Sequence, residues 1–175
     1  MKKLSVDLSE LEVAFESSSP LNIFYLDTET GKIIPIGEDG QFLYQQMNDM
    51  YYRSELERID WEEAFASGRV QDWQRELLLE IDQIETDVEG RFERVPIETS
   101  SGAYADMQTF IDTIADPSLQ IRLRDATSGR GAFRAFKNIL LDHPEERERW
   151  FQYKHELLVE RMLNWLESIG LEVEE

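Results

Sequence analysis

A chain of 175 residues, 41% hydrophobic and 11% aromatic, holds enough apolar material for one core and less than two independent domains usually need. Thirty-seven acids against eighteen bases give a net charge of -19, which repels phosphate backbones and anionic lipid and excludes generic coating of nucleic acid. The absence of cysteine excludes a disulfide scaffold, a thiolate zinc site and cysteine chemistry.

The first residues, Met1-Lys2-Lys3-Leu4-Ser5, lack the apolar centre of a signal peptide, and no apolar run approaches the roughly 20 residues that cross a bilayer, so a cytoplasmic protein is expected. Ser5 as N-cap with Leu8, Leu11 and Phe15 at helical spacing predicts a helix over 6–16, stopped by Ser17-Ser18-Ser19-Pro20. Residues 21–28 read as a strand with apolar residues on both faces. Glu29-Thr30-Gly31 and a β-rich run over 32–36 complete a hairpin, with Gly31 supplying the positive φ of a short turn. Pro35 and, in a third strand over 91–97, Pro96 lack the N–H that pairing on both sides requires, so both strands belong at edges and the first strand at the centre. A last run, Leu171-Glu172-Val173-Glu174, adds a strand or frays.

Between hairpin and third strand, residues 38–90 carry helical signals of their own. Val70, Trp73, Leu77, Ile81, Ile84 and Val88 step by three or four, and glycines at 37, 40, 68 and 90 punctuate the stretch. It reads as an acidic helical insertion into a single domain spanning 1–175, an elaboration whose shortening is tolerated. The remainder is helical. Ser100 or Ser101 caps a segment with Met107, Phe110 and Ile111, and Asp116-Pro117 opens another with Leu119 and Leu123. Phe133, Phe136 and Leu140 define a third segment, and Pro144 starts a long one ending near Ile169, with Gly170 as its stop. Trp150 and Trp165 are expected to share one core with Phe133 and Phe136.

Known reaction chemistries find little support. The two histidines, His143 and His155, stand without a His-Glu-x-x-His pattern, and Asp27 with Glu29 belongs to a turn, so no metal and no cofactor is expected. There is no Gly-x-Ser-x-Gly elbow, no Walker loop and no Rossmann fingerprint, and consecutive acids such as Glu145-Glu146 diverge on a helix, so no catalytic residue is assigned. The acidity itself has two readings, a halophile's surface or a partner-binding segment, since residues 54–90 hold twelve acids against Arg58, Arg69 and Arg75.

One segment departs from this background. Over 118–138, Arg122, Arg124, Arg130, Arg134 and Lys137 face one acid, Asp125, for a net +4. If a helix begins near Arg130, then Arg130, Arg134 and Lys137 share a face at i, i+4 and i+7, next to the Gly129–Gly131 turn whose N–H groups suit an anion. These five residues, Gly129, Arg130, Gly131, Arg134 and Lys137, form the candidate anion-binding site. Pairing with the chain's own acids, Glu145 or Glu148 among them, is the structural alternative.

Tyr25-Leu26-Asp27-Thr28-Glu29-Thr30-Gly31, then Gly129-Arg130-Gly131-Ala132-Phe133-Arg134-Ala135-Phe136-Lys137, Trp150-Phe151 and Trp165-Leu166, give the chain a resemblance. It resembles uncharacterised protein family zero-one-five-eight, small bacterial proteins, over about 6–36 and 91–172, with 38–90 outside the likeness. That implies an intracellular bacterial α+β protein and no activity. The reading is an α+β fold: a small antiparallel sheet, hairpin 21–36 plus strand 91–97, packed against C-terminal helices. Functionally it is a non-catalytic cytoplasmic binding or regulatory module, its basic face engaging an anionic small molecule or its acidic helix a basic protein. The alternatives are an enzyme on a phosphorylated or nucleotide substrate, with Arg130 and Lys137 clamping phosphate and Asp142 as base, and an acidic mimic of nucleic acid.

Overall fold

The computed structural model describes residues 2–173. Contacts divide the chain into two compact units, one running up to Ile97 and resuming at Ile169, the other Glu98–Ser168. In chain order the elements are β1 (Lys2–Leu4), α1 (Leu8–Ser17), β2 (Asn22–Asp27), β3 (Ile33–Gly37), α2 (Glu38–Tyr51), β4 (Tyr52–Arg53), β5 (Arg58–Ile59), α3 (Trp61–Ala66) and α4 (Asp72–Glu85). Then follow β6 (Phe92–Arg94), α5 (Ser100–Asp112), α6 (Pro117–Ala126), α7 (Ala132–Leu140), α8 (Pro144–Ser168) and β7 (Leu171–Val173). The fold is α+β.

In the first unit the antiparallel sheet has the order β3-β2-β6, with β2 at the centre as the two prolines require. Pro35 sits on the edge strand β3 opposite Phe24. Strand β6 is shorter than 91–97: the Val95 N–H still donates to the Phe24 carbonyl at 2.8 Å, and Pro96 has no N–H to continue. Asp27, buried at the end of β2, anchors the hairpin. Its carboxylate accepts from the Glu29 N–H (2.9 Å), the Thr30 hydroxyl (2.8 Å) and both Nε (2.9 Å) and Nη2 (2.6 Å) of Arg91. One side chain thereby ties the turn to the start of β6. Gly31 is required twice over: its φ is +79°, and a Cβ there would stand 2.0 Å from the Ser5 carbonyl oxygen. Ser5 does not cap α1; Asp7 does, accepting from the N–H groups of Ser9 and Glu10.

The 38–90 segment is built into this unit. Ile81 and Ile84 of α4 cluster with Ile34 and Ile36 of β3, while Leu78, further round α4, joins Met47, Tyr51, Ile59 and Val70. A single helix thus seals the sheet on one side and the α2–α3 layer on the other. The predicted stripe holds only at its centre: Trp73, in the first turn of α4, donates its indole N–H to the Gln71 side chain and stays exposed, and Val88 lies past the helix end. Asp82 accepts from Tyr44 Oη (3.0 Å) and Trp61 Nε1 (2.9 Å), fastening α2 and α3 to α4. Burial, with Asp82 beside it, pushes the Tyr44 hydroxyl well above the usual phenol range. β1 and β7 pair in parallel, Lys2 opposite Leu171; Glu174 of the expected last strand lies outside the described residues.

The second unit closes a core of its own. Phe110, Phe136 and Trp150 meet edge to face, with centroids 6.1 Å (110–136), 5.0 Å (110–150) and 4.9 Å (136–150) apart. Met107, Ile111, Leu123 and Leu140 fill in around them. Asp116 caps α6 with Pro117 behind it, as read from sequence, whereas α5 is capped by Thr99 through the Gly102 N–H instead of by Ser100 or Ser101. Phe133 is not part of this core. It is 40% exposed because α7 turns Ala132, Phe136, Ile139 and Leu140 inward, while Trp165 is half-buried.

Candidate anion-binding face

The linker from α6 into α7 is acid-free: no carboxylate occurs between Asp125 and Asp142, in a chain where about one residue in five is acidic. Gly131, at φ +76°, is the N-cap of α7, and no side chain caps this helix, so the first-turn N–H groups carry no side-chain acceptor. The helix begins at Ala132. Arg130 therefore precedes it, and the expected three-residue helical face reduces to Arg134 and Lys137 at i and i+3, with Arg130 on the approach.

All three bases are exposed, and none makes an ion pair or side-chain hydrogen bond with a described residue. The same holds for Arg122, whereas Arg124 is neutralised by Asp112 at 2.6 Å. Glu145 and Glu148, the alternative partners, form no ion pair with a described residue, and Glu146 in the first turn of α8 pairs with Arg149. Sequence reasoning placed Arg124 with the others because charge spacing cannot show which cation meets a carboxylate from another helix.

Asp142, the suggested base, follows the opposite end of α7. At 1.5 Å rise per residue it stands roughly 15 Å along the helix from Gly131, too far to share a reacting group with Arg130. His143 sits at the start of α8, its carbonyl taking the Arg147 N–H, and His155 is exposed in the middle of that helix. An open pocket of about 440 Å³ lies elsewhere, on α2, walled by Leu43, Gln46, Met47, Asp49 and Met50 with Arg69 at its side. Sequence reasoning missed this surface; its signal was the helical spacing of Asp39, Phe42 and Asp49 in a segment without a single base.

A family profile described as Uncharacterised protein family (UPF0158) matches residues 72–173, and the chain belongs to this family. Among curated proteins it is similar to UPF0158 protein PA5073 of Pseudomonas aeruginosa, with 27% identity over 168 residues, 96% of this chain and 85% of the relative. The profile starts at the first residue of α4, and the pairwise match leaves too few residues uncovered to skip 38–90, so the acidic segment is not outside the likeness. No solved structure matches the chain.

Proposed function

We propose that this chain is a non-catalytic cytoplasmic binding module whose surface at Gly129, Arg130, Gly131, Arg134 and Lys137 receives anionic groups of a ligand or partner. The observation that carries the reading is the set of exposed cations without carboxylate partners among the described residues, in a molecule of charge -19. Internal acids are abundant enough to neutralise them, and Arg124, Arg149 and Arg161 in the same unit are paired. Leaving Arg134 and Lys137 three residues apart and unpaired costs like-charge repulsion that a bound anion removes.

The test is titration of the wild type and Arg134→Glu with inorganic phosphate and pyrophosphate, followed by amide chemical shifts. Wild-type shifts should concentrate at residues 130–137, weaken with salt and vanish in the variant, while the melting temperature stays within about 2 °C because an exposed unpaired charge contributes little to stability. Absence of shifts there in the wild type, or a variant that melts far lower, overturns the reading.

A further inference from the structure

We infer that the outer face of α7 docks on the outer face of α2 in a second copy of this chain, carboxylates of that copy serving as the anion. The inference rests on the anion-binding reading above and supplies its partner. At 100° per residue, Phe133, Lys137, Leu141 and Arg134 fall within about 100° of arc, the side opposite buried Ala132, Ile139 and Phe136. That face is apolar and cationic: Phe133 is 40% exposed and Leu141 60%, and no acid interrupts it.

Helix α2 presents the complement. Glu38, Asp49, Phe42, Asp39 and Met50 fall within about 120° of arc, away from buried Gly40, Met47 and Tyr51, and the helix contains no lysine or arginine. Phe42 is 65% exposed and Met50 40%. Neither Glu38 nor Asp39 forms an ion pair with a described residue, and Asp49 accepts only from the Gln45 amide one turn earlier. Large apolar side chains standing in water beside uncompensated charge of one sign, on two helices with opposite signs, are matched surfaces in both properties that drive association.

The open pocket adds shape. Asp49 and Met50 of this face, with Leu43, Gln46 and Met47 towards the buried side of α2 and Arg69 at the edge, wall a space of about 440 Å³, ample for the ring of Phe133. With Phe133 seated there, Arg134 and Lys137 lie within one helical turn of the inserted ring and within reach of the Asp49 carboxylate that lines the pocket. A second copy is the occupant these observations specify, because the chain carries both halves. A polynucleotide is disfavoured because Leu141 offers no ring for a base to stack on, whereas α2 sets apolar side chains beside its carboxylates.

Sedimentation velocity on the full chain, from about 5 to 200 µM, tests the inference with two double variants, Arg134→Glu with Lys137→Glu and Asp39→Lys with Asp49→Lys. Wild type should self-associate across that range. Each variant alone sets like charge against like and should associate at least about tenfold more weakly, while an equimolar mixture restores opposite charges at the contact and should recover association. Far-UV circular dichroism melts confirm that the variants are folded. A monomeric wild type, a variant that associates as the wild type does, or a mixture that stays monomeric overturns the inference. A monomeric wild type that still binds phosphate at residues 130–137 ends this inference alone and leaves the face open to a foreign acidic segment; loss of phosphate binding as well ends both.

Discussion

Asp27 shows how much one side chain carries. Four donors converge on its buried carboxylate, and the Arg91 guanidinium first, then the Glu29 N–H and Thr30 hydroxyl, hold its pKa far below the ordinary carboxylate value of 3.8 despite burial. A depressed folded-state pKa means that the unfolded chain takes up the proton first, so this contribution is complete above about pH 5 and is lost as pH falls through the acid range. Asp27→Asn removes the charge and leaves Arg91 with Glu29, 3.1 Å away, as its remaining partner. Urea unfolding at pH 7 should show a loss of about 3 kcal/mol, the low end for breaking a buried pair because Arg91 is partly solvated. The gap between variant and wild type should narrow as the pH is lowered below 4; a gap independent of pH would mean that the ion pair is not what stabilises the hairpin.

At the scale of elements, α7 separates two kinds of aromatic residue that the sequence lists three positions apart. Phe136 is enclosed by Phe110 and Trp150, whereas Phe133 stands on the outer face next to Lys137 and Arg134. Phe136→Ala should cost on the order of 3 to 5 kcal/mol in chemical denaturation, since it deletes a ring and leaves a cavity in a core of aromatic contacts. Phe133→Ala should cost under about 1 kcal/mol and leave the unfolding transition as steep as before. Equal losses at the two positions would place both rings inside and would remove the apolar half of the face argued for α7. Periodicity alone put both rings on one stripe, because the helix was taken to bury the 133–136–140 edge and the actual edge, 132–136–139–140, is rotated towards Ala132.

For the molecule as a whole, the question is what holds the sheet. Three strands of six, five and three residues expose too much apolar surface to stand alone, and the Ile34–Ile36 side is covered by Ile81 and Ile84 of α4. The charge of 38–90 suggested an elaboration that could be shortened; the packing predicts otherwise. Replacing residues 41–88 with a Gly/Ser linker should strip hydrogen-exchange protection from the β2 and β3 amides, while the amides of α5 and α7, whose core draws nothing from 41–88, keep theirs. Retained protection in β2 would show that the sheet is stabilised without α4.

The hairpin, Gly31 in its turn, Pro35 on an edge strand, the Asp116-Pro117 helix start and the long helix from Pro144 were all legible in the chain, because each depends on the residue's own backbone preference or on neighbours within four positions. So was the local excess of positive charge at 118–138. Tertiary structure alone decided which cations are paired, since Arg124 finds Asp112 twelve residues away while Arg130, Arg134 and Lys137 find no ion-pair partner among the described residues. It alone decided that α4 seals the sheet, that β1 pairs with β7 across nearly the whole chain, and that the Glu98–Ser168 helices enclose a core of their own. Those outcomes depend on which surfaces meet across long stretches of sequence, and no local pattern encodes the partner of a charge or the direction in which an amphipathic helix turns its edge.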